Sequence, residues 1–238
     1  MTDQTATRIA PIPIASRPRL PLLVAGVVAG PLFMGLALIQ AIVQPDFDIA
    51  HHPISALTLG ATSGVQIGSF IATGLLTVAF AVGVRGAIRG EPGATWGASF
   101  FGGLGIGLVV AGLFVPDPAF GFPAGAPDGM PTSLSTHAIV HGIGFMLAVA
   151  SLVAATLVFT RRFVVRRSWA LAAYSVLSGV VILLMGSSPP GDGASLRYAV
   201  ATAVGWAWVT IVAVRLLTAR ANPDVTTSQP RIRQEGDN

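Results

Sequence analysis

VPDPAFGFPAGAPDGMPTSLSTHAIVHGIGF, residues 115–145, is the stretch whose reading decides the fold. A Gly-rich apolar segment stops at Pro116. A polar loop carrying Asp117 and Asp128 follows, and a second apolar segment opens with His137 and His141, four residues apart. Two apolar runs joined by a loop of acids and prolines fit two membrane-spanning helices and their connection.

Composition extends that reading to the whole chain. Of 238 residues, 53% are hydrophobic and 10% are charged, and the mean hydropathy is +0.73. A soluble domain carries about 25% charged residues. The deficit, with long apolar runs, marks a membrane protein rather than a large soluble core. All 14 basic residues are Arg, and the absence of Cys excludes disulfides and thiolate metal sites. The isoelectric point near 11.0 reflects Arg at segment ends. No basic patch with interleaved aromatics is present, so nucleic acid is not an expected partner. The lipid bilayer is, with a lipid as candidate ligand.

Six segments are long and apolar enough to span, at about 20 residues each. They are Leu20–Val43, Val65–Val84, Trp96–Val115, His137–Thr160, Trp169–Gly186 and Tyr198–Leu217. The expected fold is an all-α bundle of six transmembrane helices over residues 20–218. Residues 1–19 and 219–238 read as disordered cytoplasmic tails. The apolar run after residue 19 is too long for the core of a cleaved signal peptide. Small-residue spacings such as Gly26-x3-Gly30, Gly60-x3-Gly64-x3-Gly68 and Gly103-x3-Gly107 predict close helix packing.

Orientation follows from Arg. Thirteen of the 14 fall on one side if six helices alternate: Arg8, Arg17, Arg19, Arg85, Arg89, Arg161, Arg162, Arg166, Arg167, Arg215, Arg220, Arg231 and Arg233. Arg-rich connections stay inside. Both termini are therefore expected in the cytoplasm, at the cell membrane. The outer side carries Asp46, Asp48, His51, His52, Asp117, Asp128, His137, His141, Asp192 and Arg197. An outer-face polar cluster is expected there, and no ionisable residue is expected at mid-membrane.

Three pieces fall together in order: DFDIAHHPISALTLGATSGVQIGSF (residues 46–70), AGLFVPDPAFGFPAGAP (111–127) and GDGASLRYA (191–199). Over about residues 20–218 the chain resembles the bacterial membrane family catalogued as domain of unknown function 998. The Pro-Ile-Ser stretch is also distantly similar to the PYIS segment of Frag/DRAM/Sfk-type six-helix proteins. The resemblance implies a six-helix integral membrane protein and no particular activity.

The candidate site residues follow from chemistry. His137 and His141 share a helix face about 5–6 Å apart at Cβ. That spacing suits two ligands of a divalent metal such as Zn, with Asp117, His51 or His52 as a third. The competing reading is a pair of interfacial histidines bonded to loop carbonyls. Asp46, Asp48, His51 and His52 offer a carboxylate–imidazole pair, or else a solvated loop entering a short helix with Ser55 as N-cap. Arg197 opens the last helix, where the dipole disfavours a cation. It is expected to pair with Asp46 or Asp117, or to bind a lipid phosphate or carboxylate.

Two functional classes remain. One is a non-enzymatic, lipid-interacting scaffold, sensor or assembly factor. The other is an outward-facing, metal-dependent lipid hydrolase or transferase using His137, His141 and Asp117. The first is preferred because no complete catalytic set is visible. A coupled transporter ranks third, since such carriers bury ionisable residues near the midplane.

Overall fold

A computed structural model describes residues 20–188 and 193–221 of the chain. The two tails, apart from the end of the last helix, and Asp192 lie outside the described residues. Six helices carry the fold: α1 (Leu20–Val43), α2 (Ser63–Ala87), α3 (Ala94–Leu113), α4 (Thr136–Val165), α5 (Trp169–Gly186) and α6 (Ala194–Ala221). All six are long and apolar enough to cross a membrane. No strand occurs among the described residues.

α1 and α5 have the bounds read from the sequence. α2, α4 and α6 run further at both ends, α4 gaining a turn that carries Arg161 and Arg162, whereas α3 starts two residues before the expected Trp96 and stops two before Val115. Hydropathy marks where the apolar core begins, while helical hydrogen bonding continues into the interface. α4 shows how each end is fixed. Ser135 is its N-cap, with the hydroxyl accepting from the Ala138 amide at 3.1 Å. Asp117 accepts from the Ser135 amide at 2.7 Å, placing a carboxylate at the helix N-terminus, where the dipole favours it. At the far end Arg167 takes a left-handed φ of 55°. The Arg167 and Ser168 amides then bond the carbonyls of Val164 and Phe163. This closing motif turns the chain directly into α5.

Each helix packs on its neighbours in sequence, and α6 returns to α1, so the six form a closed ring. Glycines set two of the closest approaches. A Cβ at Gly74 would meet the Gly105 carbonyl oxygen at 2.7 Å, and one at Gly107 would meet that of Gly144 at 2.5 Å. Gly26, Gly30 and Gly103 also face tight neighbours, whereas Gly64 and Gly68 face open space.

The ring has two unlike ends. At one end Glu91 Oε2 accepts from Arg162 at 2.6 Å and from Arg166 at 2.5 Å, and Arg162 also donates to the Pro92 carbonyl. Burial works to raise the Glu91 pKa, but its bonds and attraction to Arg162 and Arg166 outweigh that and lower it. Above this end the ring centre is filled by Phe80, Phe101, Phe159 and Trp208, all fully buried. Their ring centroids stand 4.8–5.9 Å apart, and the Trp208 indole donates to Ser175 Oγ at 3.0 Å. The other end carries the α1–α2 and α3–α4 loops, and there the centre is hollow.

Candidate functional site

The hollow is a cavity of about 360 Å³ lined by α1, α3, α4, α5 and α6, with Phe70 its contribution from α2. Such a volume falls in the range of small-molecule sites. Its floor includes Leu152, Ile182 and Trp206, and its mouth includes Asp117, Met130, Pro131 and Leu134. Along α4 the lining runs from Ala138 to Leu152, about 21 Å at the rise of a helix. The site is therefore elongated, parallel to the helices and almost wholly apolar.

The two loops form its roof through aromatic packing and one histidine. Phe47, His52 and Phe122 stack at centroid distances of 5.2–5.5 Å. His52 Nδ1 accepts from the Asp48 amide at 2.9 Å. A backbone amide only donates, so the ring proton sits on Nε2, which donates to the Phe120 carbonyl at 2.9 Å. His52 is 8% exposed. Ser195, in the first turn of α6, donates to the His51 carbonyl at 2.7 Å and ties the first loop to that helix.

His141 is the deep polar group. It is 8% exposed and lines the cavity. Its Nδ1 lies 3.0 Å from the Ala111 carbonyl oxygen and 2.8 Å from that of Phe114. Carbonyls only accept, so Nδ1 carries the proton. Those two carbonyls sit at the end of α3, where helical partners run out.

The pair read as one unit from the sequence is thereby divided. His137 stands one turn, about 6 Å, nearer the α4 terminus, and it is exposed, with its ring 5.3 Å from Phe114. α3 has ended at that level, so no helix covers it. Asp117 bonds Ser135 rather than an imidazole, and Ser135 holds its carboxyl below the usual carboxylate range. Among the described residues no three His, Asp or Glu side chains come together as a metal site. The residues read as ligands therefore do not fit a Zn ion as they stand.

The other candidates are also placed. His51 Nδ1 meets Asp48 Oδ2 at 2.8 Å on the exposed surface. The Asp48 carboxyl is lowered by the Ala50 amide and then by His51. Asp46 is exposed. Ser55 lines the cavity but caps nothing: the short 3-10 helix Ile54–Thr58 begins one residue earlier, after an extended Pro53. Arg197 donates from Nε to Ser188 Oγ at 3.1 Å. The ion pairs among the described residues do not join it to Asp46 or Asp117.

One family model, described as "Protein of unknown function (DUF998)", matches residues 27–215. The chain belongs to this family. The match begins inside α1, ends inside α6 and includes both loops of the roof, so the cavity lies wholly within the family's extent. No curated protein and no solved structure matches the chain.

Several structural residues of this family member were not singled out in the sequence. Gln40 donates to Gln66 at 2.7 Å, Thr62 to Gln40 at 2.9 Å and Gln44 to Thr62 at 2.6 Å. This buried amide network pins α1 to α2 beside the roof. The i, i+4 spacing of Gln40 and Gln44 inside an apolar run was the available signal. Tyr198, which donates to the Ser188 carbonyl at 2.6 Å, lines the cavity as well.

Proposed function

We propose that this integral membrane protein is a non-enzymatic lipid-binding protein that holds an apolar chain in the cavity between its helices. The observation that carries this reading is the cavity itself: elongated, apolar from Leu152 to Leu134, with Leu152, Ile182 and Trp206 at its floor. Apolar lining with a few polar groups near the mouth matches the division of a lipid into chain and headgroup. The Arg distribution supports an orientation with the mouth and both loops outside the cell and both termini in the cytoplasm. A scaffold, sensor or assembly factor that responds to a membrane lipid fits this arrangement.

Native mass spectrometry of the protein released from membranes tests it. A lipid should stay bound through detergent exchange. Gly142 lines the cavity, and a Cβ there meets nothing within 4 Å. Gly142→Phe should therefore fill the space and expel the lipid while leaving the fold intact. Retention of the same lipid by Gly142→Phe would contradict the reading.

One observation favours the hydrolase alternative. His141, Asp117 and Ser55 line one cavity. That reading keeps His141 and Asp117 and drops the exposed His137. Its test is turnover of a long-chain ester by the purified protein, lost in His141→Phe.

A further inference from the structure

Three polar side chains that line the cavity spend their protons on backbone carbonyls, while Ser55, which also lines it, keeps a hydroxyl that can donate or accept. Tyr198 spends its hydroxyl proton on the Ser188 carbonyl, and Thr202 spends its own on the Tyr198 carbonyl at 2.7 Å. His141 spends its Nδ1 proton on Ala111 and Phe114. Its other nitrogen, Nε2, has no hydrogen-bond partner among the described residues and in the neutral ring is an acceptor. Asp117, at the mouth, accepts only. Among the described residues that line the cavity there is no Arg, and the one charged group is a carboxylate. Around His141 and at the entrance the site therefore offers mainly acceptors, with the negative charge of Asp117. It lacks the cation that a phosphate or carboxylate headgroup requires.

We infer that the cavity selects a single-chain lipid with an uncharged hydroxyl headgroup, the hydroxyl donating to His141 Nε2. The inference rests on the lipid-binding reading above and names the lipid. The chain runs from His141 toward Ile182 and Trp206, with about 16 Å of α4 lining between His141 and Leu152. The hydroxyl belongs to a free long-chain alcohol or to a monoacylglycerol. A ligand without a donor leaves Nε2 desolvated and unpaired, which is how a buried polar group discriminates between ligands.

The test uses Trp206, which lines the floor of the cavity. Purified full-length protein is loaded with a brominated long-chain hydrocarbon, whose bromine quenches indole fluorescence. Trp206→Phe identifies the part of the quenching that comes from the cavity. Hexadecanol, monopalmitoylglycerol, hexadecyl methyl ether, hexadecyl phosphate and hexadecylamine then compete for the site. The alcohol should displace the quencher about tenfold better than the ether, the worth of one buried hydrogen bond. The phosphate should do no better than the ether. His141→Phe should bring the alcohol down to the level of the ether.

Comparing monopalmitoylglycerol with hexadecanol tells which source of the hydroxyl fits better. Equal displacement by alcohol and ether overturns the inference, as does a phosphate or amine that outcompetes the alcohol. Those results leave the chain-binding reading standing. Absence of any Trp206-dependent quenching overturns both. If His141→Phe fails to fold, the headgroup series on the unmodified protein still decides.

Discussion

His52 and Phe120 are joined by a hydrogen bond of 2.9 Å from the imidazole Nε2 to the backbone carbonyl, across 68 positions of sequence. With the Asp48 amide on Nδ1, this ring latches the first loop of the roof to the second. His52→Ala removes both bonds and the ring that packs between Phe47 and Phe122. The expected cost is about 1–3 kcal/mol. It should be read as a lower melting temperature in detergent and faster proteolysis within residues 117–134. His51→Ala removes only an exposed contact and should leave both unchanged.

Glu91 makes the opposite end sensitive to acid. Its folded pKa lies below its ordinary value of 4.5, so its contribution to stability is full above that value. It is lost as pH falls through the folded pKa. The melting temperature should drop more steeply below about pH 4.5 in the unmodified protein than in Glu91→Gln. At neutral pH, Glu91→Gln should cost about 1–3 kcal/mol. That is less than a fully buried pair loses, because the Glu91 side chain is 38% exposed. Equal pH profiles for the two proteins would contradict the assignment.

Helix contact through glycine gives a sharper contrast. Gly107→Ala puts a methyl 2.5 Å from the Gly144 carbonyl oxygen, whereas a Cβ at Gly102 meets nothing within 4 Å. The first substitution should destabilise by about 1–3 kcal/mol through overpacking. The second should be neutral. Thermal melts of the two variants side by side decide the point.

The orientation is tested by cysteine labelling in intact cells, since the chain has no Cys of its own. Asp128→Cys should react with an impermeant maleimide added outside. Val164→Cys should react only after the cells are opened. External labelling of Val164→Cys would contradict the placement of the termini.

The six helices were legible because hydropathy and length suffice to define a membrane span. The ring closure of α6 onto α1 was not, since nothing local in either helix names its distant partner. Candidate residues were found where they lie near a helix terminus or loop, as with His141, His52 and Asp117. Their partners are mostly backbone groups, which carry no sequence identity: Ala111 and Phe114 for His141, Phe120 for His52, and the Ser135 amide for Asp117. The pairing of His137 with His141 was read from helical periodicity alone. Periodicity gives a shared face but not the height at which the neighbouring helix ends. Glu91 is not legible as a partner because the Arg run at 161–167 has a sufficient explanation in topology.

The central claim, an apolar chain held inside the ring, is tested most directly by photocrosslinking. A diazirine placed at the end of a long-chain alcohol is activated with the protein in a bilayer, and the adducts are mapped by mass spectrometry. The account predicts adducts on Leu152, Ile182 and Trp206, at the floor of the cavity. It also predicts their loss in Gly142→Phe. Adducts confined to exposed side chains of the bundle such as Leu157, Leu177 and Leu184, unchanged by that substitution, would contradict it.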